Sequence, residues 1–289
     1  SYVENLASQG IVSGYGDSGN FKPNNPVLRE EAAKMIALAA ELSAGTGFKS
    51  DFVDLNKAGN WAHQYIFALE EAKVIQGFGT TREFRPKNSI QRGHVAKMLV
   101  KAFGLETGTI DLTFSDLSLV ANDTEVLNAI QLLASNGIVK GFGSTNEFRP
   151  INDISRAEFS KMVVISQVTA AVQKAEGSRS PEDLEAARAL INKLPEKQDP
   201  ETKAALQARL AALEEEEIPP PAPPELVAVT GISLDQTSID LTVGGAAVTL
   251  MATIAPENAS DKTYKGSSSD DPIATVADGV VTPKAVGTA

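Results

Sequence analysis

Apolar residues recur with a helical period across the first part of the chain. One stripe is formed by Val126, Ile130 and Leu133, at positions i, i+4 and i+7. Gly137 follows this stripe and is placed to end the helix, because glycine readily adopts the left-handed conformation that closes many helices. A second stripe begins at Phe159. The pattern therefore predicts a helix, a turn and a second helix.

This helix–turn–helix pattern occurs three times, with offsets of 63 and then 64 residues between matching positions. The matching positions are the turns Gly14-Tyr15-Gly16, Gly77-Phe78-Gly79 and Gly141-Phe142-Gly143, the core anchors Phe21, Phe84 and Phe148, and the arginines Arg29, Arg92 and Arg156. Two short helices cannot bury both apolar stripes alone, whereas three such pairs can cover one another. The repeat therefore predicts an all-α bundle of three units.

The helical pattern changes after the third unit. We expect its last helix to run past Val168 to Ala175, with Gly177 breaking it. Ser180-Pro181 and Asp199-Pro200 each resemble a helix start, since proline suits the first helical position. The apolar positions that follow these starts are Leu184, Ala187, Ile191, Leu194, Ala205, Leu206, Leu210 and Leu213. They predict a helical hairpin spacer over 177–217, followed by a proline-rich linker over 218–225.

The last segment, 226–289, alternates apolar and polar residues with a period of two. Alternation over 232–234, 239–243 and 248–254 predicts strands, and Gly244-Gly245 and Pro256 mark turns between them. This part of the chain is therefore predicted to be an all-β domain.

Composition and charge exclude several classes of function. The chain has no cysteine, which rules out disulfides and thiolate sites. It has two histidines, too few to favour a histidine-rich zinc site or a histidine-dependent catalytic triad. The net charge is −11, with −2 in residues 1–176, −5 in 177–225 and −4 in 226–289. We therefore expect no nucleic-acid partner, and no apolar run is long enough to suggest membrane insertion. No cofactor and no metal site are expected.

Further motifs around the repeats resemble those of a known family. They are Phe52-Val53-Asp54, Phe114-Ser115-Asp116, Trp61-Ala62 and Ile154-Ser155-Arg156-Ala157-Glu158. Together with the glycine turns they make residues 1–170 similar to the S-layer homology (SLH) domain. The resemblance implies three repeats, over 1–48, 49–110 and 111–176, in a pseudo-three-fold spindle. The first repeat is expected to be clipped, because the counterpart of Phe52 would precede residue 1.

The resemblance also implies a function. Proteins of this family bind secondary cell-wall polysaccharides attached to peptidoglycan, often pyruvylated ones, and so hold S-layer proteins and exoenzymes on Gram-positive cells. We therefore expect a secreted, cell-wall-bound protein whose neighbouring S-layer subunits contact regions beyond the repeats. A surface exoenzyme with its catalytic domain outside this sequence is the alternative. An enzyme within it is not expected, because the adjacent carboxylates, such as Glu70-Glu71, lie in no motif with a nucleophile or base.

The segment 226–289 resembles the bacterial Ig-like group 2 domain and is expected to be an incomplete Ig-like sandwich, truncated at its C-terminus. The resemblance is carried by Ala274-Thr275-Val276, Gly279-Val280-Val281-Thr282 and Gly287-Thr288-Ala289. The core tryptophan of that family is missing, and Tyr264 is the candidate to replace it.

The candidate polymer-binding residues lie at the helix starts and glycine turns. They are Arg29, Arg92, Arg156, Gly14, Gly16, Gly77, Gly79, Gly141, Gly143 and Trp61. An arginine in a first helical turn, beside free N–H groups and the positive end of the helix dipole, forms an anion site suited to a carboxylate such as a pyruvate ketal. The alternatives are inter-repeat salt bridges to Glu31 or Glu158, turn geometry for the glycines and packing for Trp61.

The three helix starts are not equivalent. Ser155 and Glu158 form a capping box. Leu28 and Gln91 replace the serine in the first and second units. In the second unit, Gly93 also destabilises the first turn of the helix by up to about 1 kcal/mol. The grooves are therefore expected to differ in affinity.

Overall fold

A computed structural model describes residues 1–106, 114–217 and 226–289. The chain divides into two compact units, 1–218 and 219–289. The first unit is helical and contains the three repeats and the hairpin. The second unit contains short strands. The proline-rich linker predicted over 218–225 lies outside the described residues.

The helices of the first unit follow the predicted order. In chain order they are α1 (Tyr2–Ser8), α2 (Arg29–Ala39), α3 (His63–Glu71), α4 (Arg92–Phe103), α5 (Thr124–Ser135), α6 (Arg156–Ser178), α7 (Pro181–Asn192) and α8 (Pro200–Glu217). The stripe of α5 is buried, with Val126 2% exposed and Ile130 and Leu133 fully covered. Gly137 follows α5 with a φ of +68°. The predicted helix and its glycine ending are therefore confirmed.

Three buried backbone segments, one from each repeat, meet in a closed ring of hydrogen bonds. The N–H of Val27 donates to the carbonyl of Ile154 (3.1 Å), the N–H of Ile154 donates to Ile90 (3.1 Å), and the N–H of Ile90 donates to Val27 (2.9 Å). All three side chains are fully buried. The backbones of the three repeats are thus joined in cyclic order at the centre of one core.

The aspartates of the Phe-x-Asp motifs fix the Phe-x-Pro segments of their own repeats. The carboxylate of Asp54 accepts hydrogen bonds from the N–H groups of Phe84 (2.7 Å) and Arg85 (2.9 Å). Arg85 has a φ of +58°, in the left-handed region, so these bonds hold a backbone turn that few side chains favour. Asp116 makes the same two bonds in the third repeat, at 2.9 and 2.7 Å.

The helical hairpin packs against the third repeat. Helices α7 and α8 both contact α6. The buried apolar side chains of the hairpin are Leu184, Ala187, Ile191, Leu194, Leu206, Leu210 and Leu213. Ala205 is exposed, contrary to the prediction. The hairpin is therefore part of the first compact unit, and its role as a spacer stays a prediction.

Helix α6 runs through Gly177 to Ser178, so the predicted break at Gly177 is wrong. A glycine costs a helix interior up to about 1 kcal/mol, which packing against the hairpin can offset. The helix ends at Arg179, which adopts the left-handed conformation (φ 52°) and donates its N–H to the carbonyl of Ala175. The ending is of the predicted type but lies two residues later.

Over residues 226–289, the second unit forms five short strands in two antiparallel sheets. They are β1 (Gly231–Leu234), β2 (Val248–Thr249), β3 (Ala252–Ala255), β4 (Ala274–Ala277) and β5 (Val280–Pro283). Strand β1 pairs with β3, and β2, β5 and β4 form the other sheet in that order. The predicted strand over 248–254 is thus divided between two sheets, and that over 239–243 does not form.

The apolar core of the second unit is small. Ala259 and Val281 are the buried apolar side chains among its described residues, whereas Ile232 is 56% exposed. Tyr264 is 54% exposed, so it does not replace a core tryptophan. The predicted β-structure of this unit is confirmed, and its identity as an Ig-like sandwich stays a prediction.

Candidate functional site: three grooves between the repeats

The three arginines of the repeats begin α2, α4 and α6 and are almost fully buried, with 5–7% of each residue exposed. In each case Nε donates to the main-chain carbonyl of the Phe-x-Pro phenylalanine of another repeat. The pairs are Arg29 with Phe84 (2.7 Å), Arg92 with Phe148 (2.9 Å) and Arg156 with Phe21 (2.9 Å). The first repeat thus holds the second, the second holds the third, and the third holds the first.

Each guanidinium also lies between two aromatic rings of the repeat that it contacts. In the groove beside the glycine turn of the first repeat, called the first groove, Arg156 lies 4.4 Å from the ring centroid of Tyr15 and 4.5 Å from that of Phe21. The same arrangement holds Arg29 between Phe78 and Phe84, and Arg92 between Phe142 and Phe148. Cations on aromatic faces gain about 0.5–2 kcal/mol, more where water is excluded. These arginines therefore connect the repeats.

Two of the three arginines have a carboxylate partner from another repeat. Arg156 lies 3.4 Å from Glu31, and Arg92 lies 3.5 Å from Glu158. The predicted alternative of inter-repeat salt bridges is thus confirmed at both positions. The phenol of Tyr15 donates to Glu31 (2.6 Å) and accepts from Arg156 (2.8 Å). Burial, and then the bond to Glu31, raises the pKa of Tyr15 to about 12.

Arg29 faces a histidine where the other two arginines face glutamate. His94 stands at the repeat position of Glu31 and Glu158. Burial, and then the charge of Arg29, lowers the pKa of His94. Burial likewise lowers the pKa of Arg29 to about 10. The positive charge of Arg29 therefore has no adjacent glutamate at this repeat position to balance it.

The first N–H groups of these helices are not free. In α2, the N–H of Arg29 donates to Asn88 (3.0 Å), and that of Glu30 donates to Pro86 (3.1 Å). In α4 and α6, Asn152, Pro150, Asn25 and Pro23 supply the matching carbonyls. The expected anion site of free helix N–H groups is therefore wrong at these positions. The carbonyls after the neighbouring Phe-x-Pro motif occupy the donors that an anion would need.

The six candidate glycines form the turns that border the grooves, and backbone geometry accounts for them. Gly16, Gly79 and Gly143 have φ values of 51°, 53° and 50°, where other residues are strained. A Cβ on Gly14 would lie 1.9 Å from the carbonyl oxygen of Gly19. Their proposed polymer contact stays a prediction.

The first groove is a cavity of about 160 Å³. Its lining includes Gly14, Tyr15, Glu31, Lys34, Trp61 and Arg156. Trp61 is 46% exposed, so it is not a core residue. The ammonium of Lys34 lies 5.9 Å from the Trp61 ring and, within the described residues, has no carboxylate within 4 Å. An unpaired cation thus stands beside an open aromatic face.

The second groove is a cavity of about 190 Å³. Its lining includes Arg29, Gly77, Phe78, His94, Lys97 and Glu125. Lys97 occupies the repeat position of Lys34, and its Nζ lies 2.9 Å from a carboxylate oxygen of Glu125. That hydrogen bond is the main cause of the lowered pKa of Glu125. In this groove the lysine is therefore paired.

In the third groove, the repeat positions that line the other two are held by Lys140, Gly141, Phe142, Arg92 and Lys161, and Arg92 lies 4.6 Å from the ring centroid of Phe142. Both of its lysines pair with acids of the hairpin. Lys161 Nζ lies 2.8 Å from Asp199, and Lys140 Nζ lies 2.7 Å from Glu201.

The lysines of the grooves were missed by the sequence reasoning. Lys34, Lys97 and Lys161 each stand five residues after a repeat arginine, so the alignment of the repeats itself contained the signal. Their different partners come from tertiary structure. Among the described residues, no group of three or more histidine, aspartate and glutamate side chains is placed to hold a metal ion. No described helix has the length and apolar character to cross a membrane.

Comparison with known proteins identifies the repeats. The S-layer homology domain family matches residues 1–33, 51–96 and 113–160. The chain is 32% identical over 164 residues to the S-layer protein sap of Bacillus anthracis and 35% identical over 161 residues to the surface-layer 125 kDa protein of Lysinibacillus sphaericus. It is 30% identical over 166 residues to an amylopullulanase of Thermoanaerobacterium thermosulfurigenes. These alignments cover 54–56% of this chain and 8–19% of the relatives.

Proposed function

Because the chain carries three S-layer homology domains, we propose that it anchors an S-layer protein to the cell wall of a Gram-positive bacterium. The ligand is an anionic, pyruvylated secondary cell-wall polysaccharide, which binds in the grooves between repeats. Neighbouring S-layer subunits are contacted through regions beyond the repeats. Relatives that are S-layer proteins support this proposal.

The observation that carries the proposal is the first groove. Trp61 offers an exposed aromatic face for the apolar side of a sugar ring. Lys34, whose ammonium stands 5.9 Å from the Trp61 ring, can bind a carboxylate carried by that sugar. The buried guanidinium of Arg156 fixes Tyr15 and the glycine turn, and adds positive charge behind them. The groove therefore suits a sugar that bears a pyruvate ketal.

The three grooves belong to a pseudo-three-fold arrangement in this proposal. Its support is the closed ring of hydrogen bonds between Val27, Ile90 and Ile154, and the cyclic contacts of the three arginines. Each groove takes its turn and lysine from one repeat and its arginine from another. Binding should therefore require the repeats together.

The second candidate is the anchor of a surface exoenzyme. The similarity to an amylopullulanase over the repeat region favours it. The same polymer would bind the same grooves, and the catalytic domain would lie outside these residues. The two candidates are distinguished by the rest of the protein's sequence.

Sedimentation with purified cell walls tests the proposed function. We expect the chain to sediment with intact walls and to stay in solution once the secondary polymer has been extracted. Lys34→Ala and Trp61→Ala should each weaken binding about tenfold or more, because a charge-assisted contact or a stacking face is lost. Lys49→Ala, which removes a lysine outside the grooves, is the matched control. Equal sedimentation with extracted walls would contradict the proposal.

A further inference from the structure

The hairpin places two carboxylates on the lysines of the third groove. Asp199 and Glu201 stand at the start of α8, outside the repeats, and pair with Lys161 and Lys140 at 2.8 and 2.7 Å. Lys161 holds the repeat position of Lys34, which has no carboxylate partner among the described residues of the first groove. The lysine of the third groove is therefore already bound to an acid from the same chain.

The carboxylate of Asp199 is held rigidly. Asp199 is 8% exposed and precedes α8, where its carboxylate accepts the N–H of Thr202 (3.4 Å). Burial opposes its charge, but the hydrogen bonds from Lys161 and Thr202 prevail and hold the pKa of Asp199 below its ordinary value. The buried leucines of α8, Leu206 and Leu210, fix the helix on the repeats. The carboxylate is thus charged at neutral pH and positioned before any ligand arrives.

The balance of charge separates the third groove from the first. In the first groove, Arg156 and Lys34 face one carboxylate, Glu31. In the third groove, three cations face three carboxylates. The cations are Arg92, Lys140 and Lys161, and the carboxylates are Glu158, Asp199 and Glu201. An anionic ligand would gain no net charge attraction there and would have to displace Asp199.

The second groove stays open although Lys97 is paired. Lys97 lies 2.9 Å from Glu125 and 3.9 Å from Asp123, the N-cap of α5, and these two side chains are 56% and 43% exposed, so both pairs are open to solvent. Exposed ion pairs contribute about 0–1 kcal/mol, so an incoming carboxylate can replace them. Arg29 also adds a cation that no glutamate balances at the His94 position. This groove therefore keeps a net attraction for an anion.

We propose that the hairpin closes the third groove to the polymer, with the buried Asp199 standing in for a ligand carboxylate and the exposed Glu201 adding negative charge beside it. The polymer then binds in the first and second grooves only. This inference rests on the proposed function and specifies how many of the grooves carry it. It also gives the hairpin a role in setting the valency of the anchor.

The test counts ligand molecules per chain by isothermal titration calorimetry on the full chain. The probe is a monosaccharide glycoside that bears one pyruvate ketal. We expect two probe molecules per wild-type chain and three per chain of the double variant Asp199→Asn, Glu201→Gln. Asparagine keeps the helix cap, so the variant removes charge without removing the cap. Glu182→Gln with Glu196→Gln removes the same charge elsewhere on the hairpin and should leave the count at two.

A second measurement does not depend on the double variant. Lys161→Ala should leave both sites of the wild-type chain unchanged, whereas Lys34→Ala should weaken the first-groove site at least tenfold and leave the second-groove site unchanged. Trp61 is the single tryptophan of the chain, so its fluorescence reports on the first groove during the same titration.

The outcomes separate the two proposals. Three probe molecules per wild-type chain, a weaker affinity in Lys161→Ala, or a double variant that stays folded and still binds two would overturn closure of the third groove and leave the proposed function intact. No binding by either the wild-type chain or the double variant would overturn the proposed function, and closure with it. Melting curves by circular dichroism establish that each variant is folded.

Discussion

Asp54 shows how one side chain can set the backbone of a repeat. Its buried carboxylate accepts two N–H groups from the Phe-x-Pro segment. Asp54→Ala should therefore lower the free energy of unfolding by about 2–4 kcal/mol, because both donors lose a charged acceptor inside the protein. Urea denaturation measures this loss.

The control for this substitution is Asp51→Ala. The Asp51 side chain is 70% exposed and pairs with Arg82 at 3.1 Å. Exposed pairs of this kind contribute little, so we expect a change within about 0.5 kcal/mol. Equal effects of the two substitutions would mean that Asp54 does not organise the turn.

The capping box at the start of α6 is confirmed in both directions. Ser155 accepts the N–H of Glu158 (3.3 Å), and Glu158 accepts the N–H of Ser155 (3.0 Å). Ser155→Ala should cost about 1 kcal/mol of stability, measured by thermal or urea unfolding. Gln91 has nearly the same backbone conformation without a side-chain cap. Gln91→Ser is therefore the converse experiment, and a loss of stability there would contradict this account of capping.

At this scale the sequence predicts what is local. A capping box needs residues three positions apart, so Ser155 and Glu158 could be identified in advance. The occupied N–H groups of Arg29 and Glu30 could not, because their acceptors lie more than 50 residues away. The same limit applies to Lys34 and Lys161, which hold one repeat position but differ in their long-range partners.

At the scale of elements, the docking of the hairpin on α6 should depend on pH through Asp199. The folded-state pKa of this carboxyl lies below its ordinary value, so the ionised form contributes stability above the unfolded-state pKa of about 4. That contribution is lost as pH falls through the lower, folded-state pKa. We expect Asp199→Asn to be less stable than wild type at pH 7 by up to about 1 kcal/mol.

This difference should begin to shrink as the pH falls below about 4 and should vanish only below the lower, folded-state pKa of Asp199, where both proteins are neutral at residue 199. Urea unfolding at several pH values measures it. Asp261→Asn changes a carboxyl in the other compact unit and serves as the control, because it should leave the unfolding of the helical unit unchanged at every pH. A difference between wild type and Asp199→Asn that persists unchanged in acid would show that the Lys161 ion pair is not its source.

The strands show why an alternating pattern is weaker evidence than a helical stripe. The pattern over 248–254 identifies extended backbone but not the sheet to which it belongs. Asp235 accepts the N–H of Met251 through its carboxylate (2.8 Å), at the point where β2 gives way to β3. The segment 239–243 has the same alternation and forms no strand, because a strand also needs a pairing partner, which sequence alternation does not supply.

At the scale of the whole molecule, the repeats explain why so much of the helical unit could be predicted. Each anchor position occurs three times, so Phe84, Phe148 and the arginines could be placed without a structure. The location of the arginines was therefore predictable, but their near-complete burial was not. It arises because the helices of each repeat begin against the Phe-x-Pro segment of another, which a single repeat does not reveal.

The division of the chain into two units predicts where the polymer binds. The three grooves and the hairpin lie within 1–218, whereas residues 226–289 carry three basic and seven acidic side chains. A fragment of residues 1–218 should therefore bind the wall polymer as tightly as the whole chain, and one of residues 226–289 should not bind an anionic polymer.

A third fragment, ending at residue 176, separates the grooves from the hairpin. It should be less stable, because Val172 and Ala175 lose their cover, and it should accept a ligand in the third groove, because Asp199 is gone. Circular dichroism establishes whether each fragment is folded, and calorimetry with extracted polymer compares their binding. Binding by 226–289, or none by a folded 1–218 fragment, would assign the anchor to the other unit. Equal stability of the fragments ending at 176 and 218 would show that the hairpin is not part of the helical core.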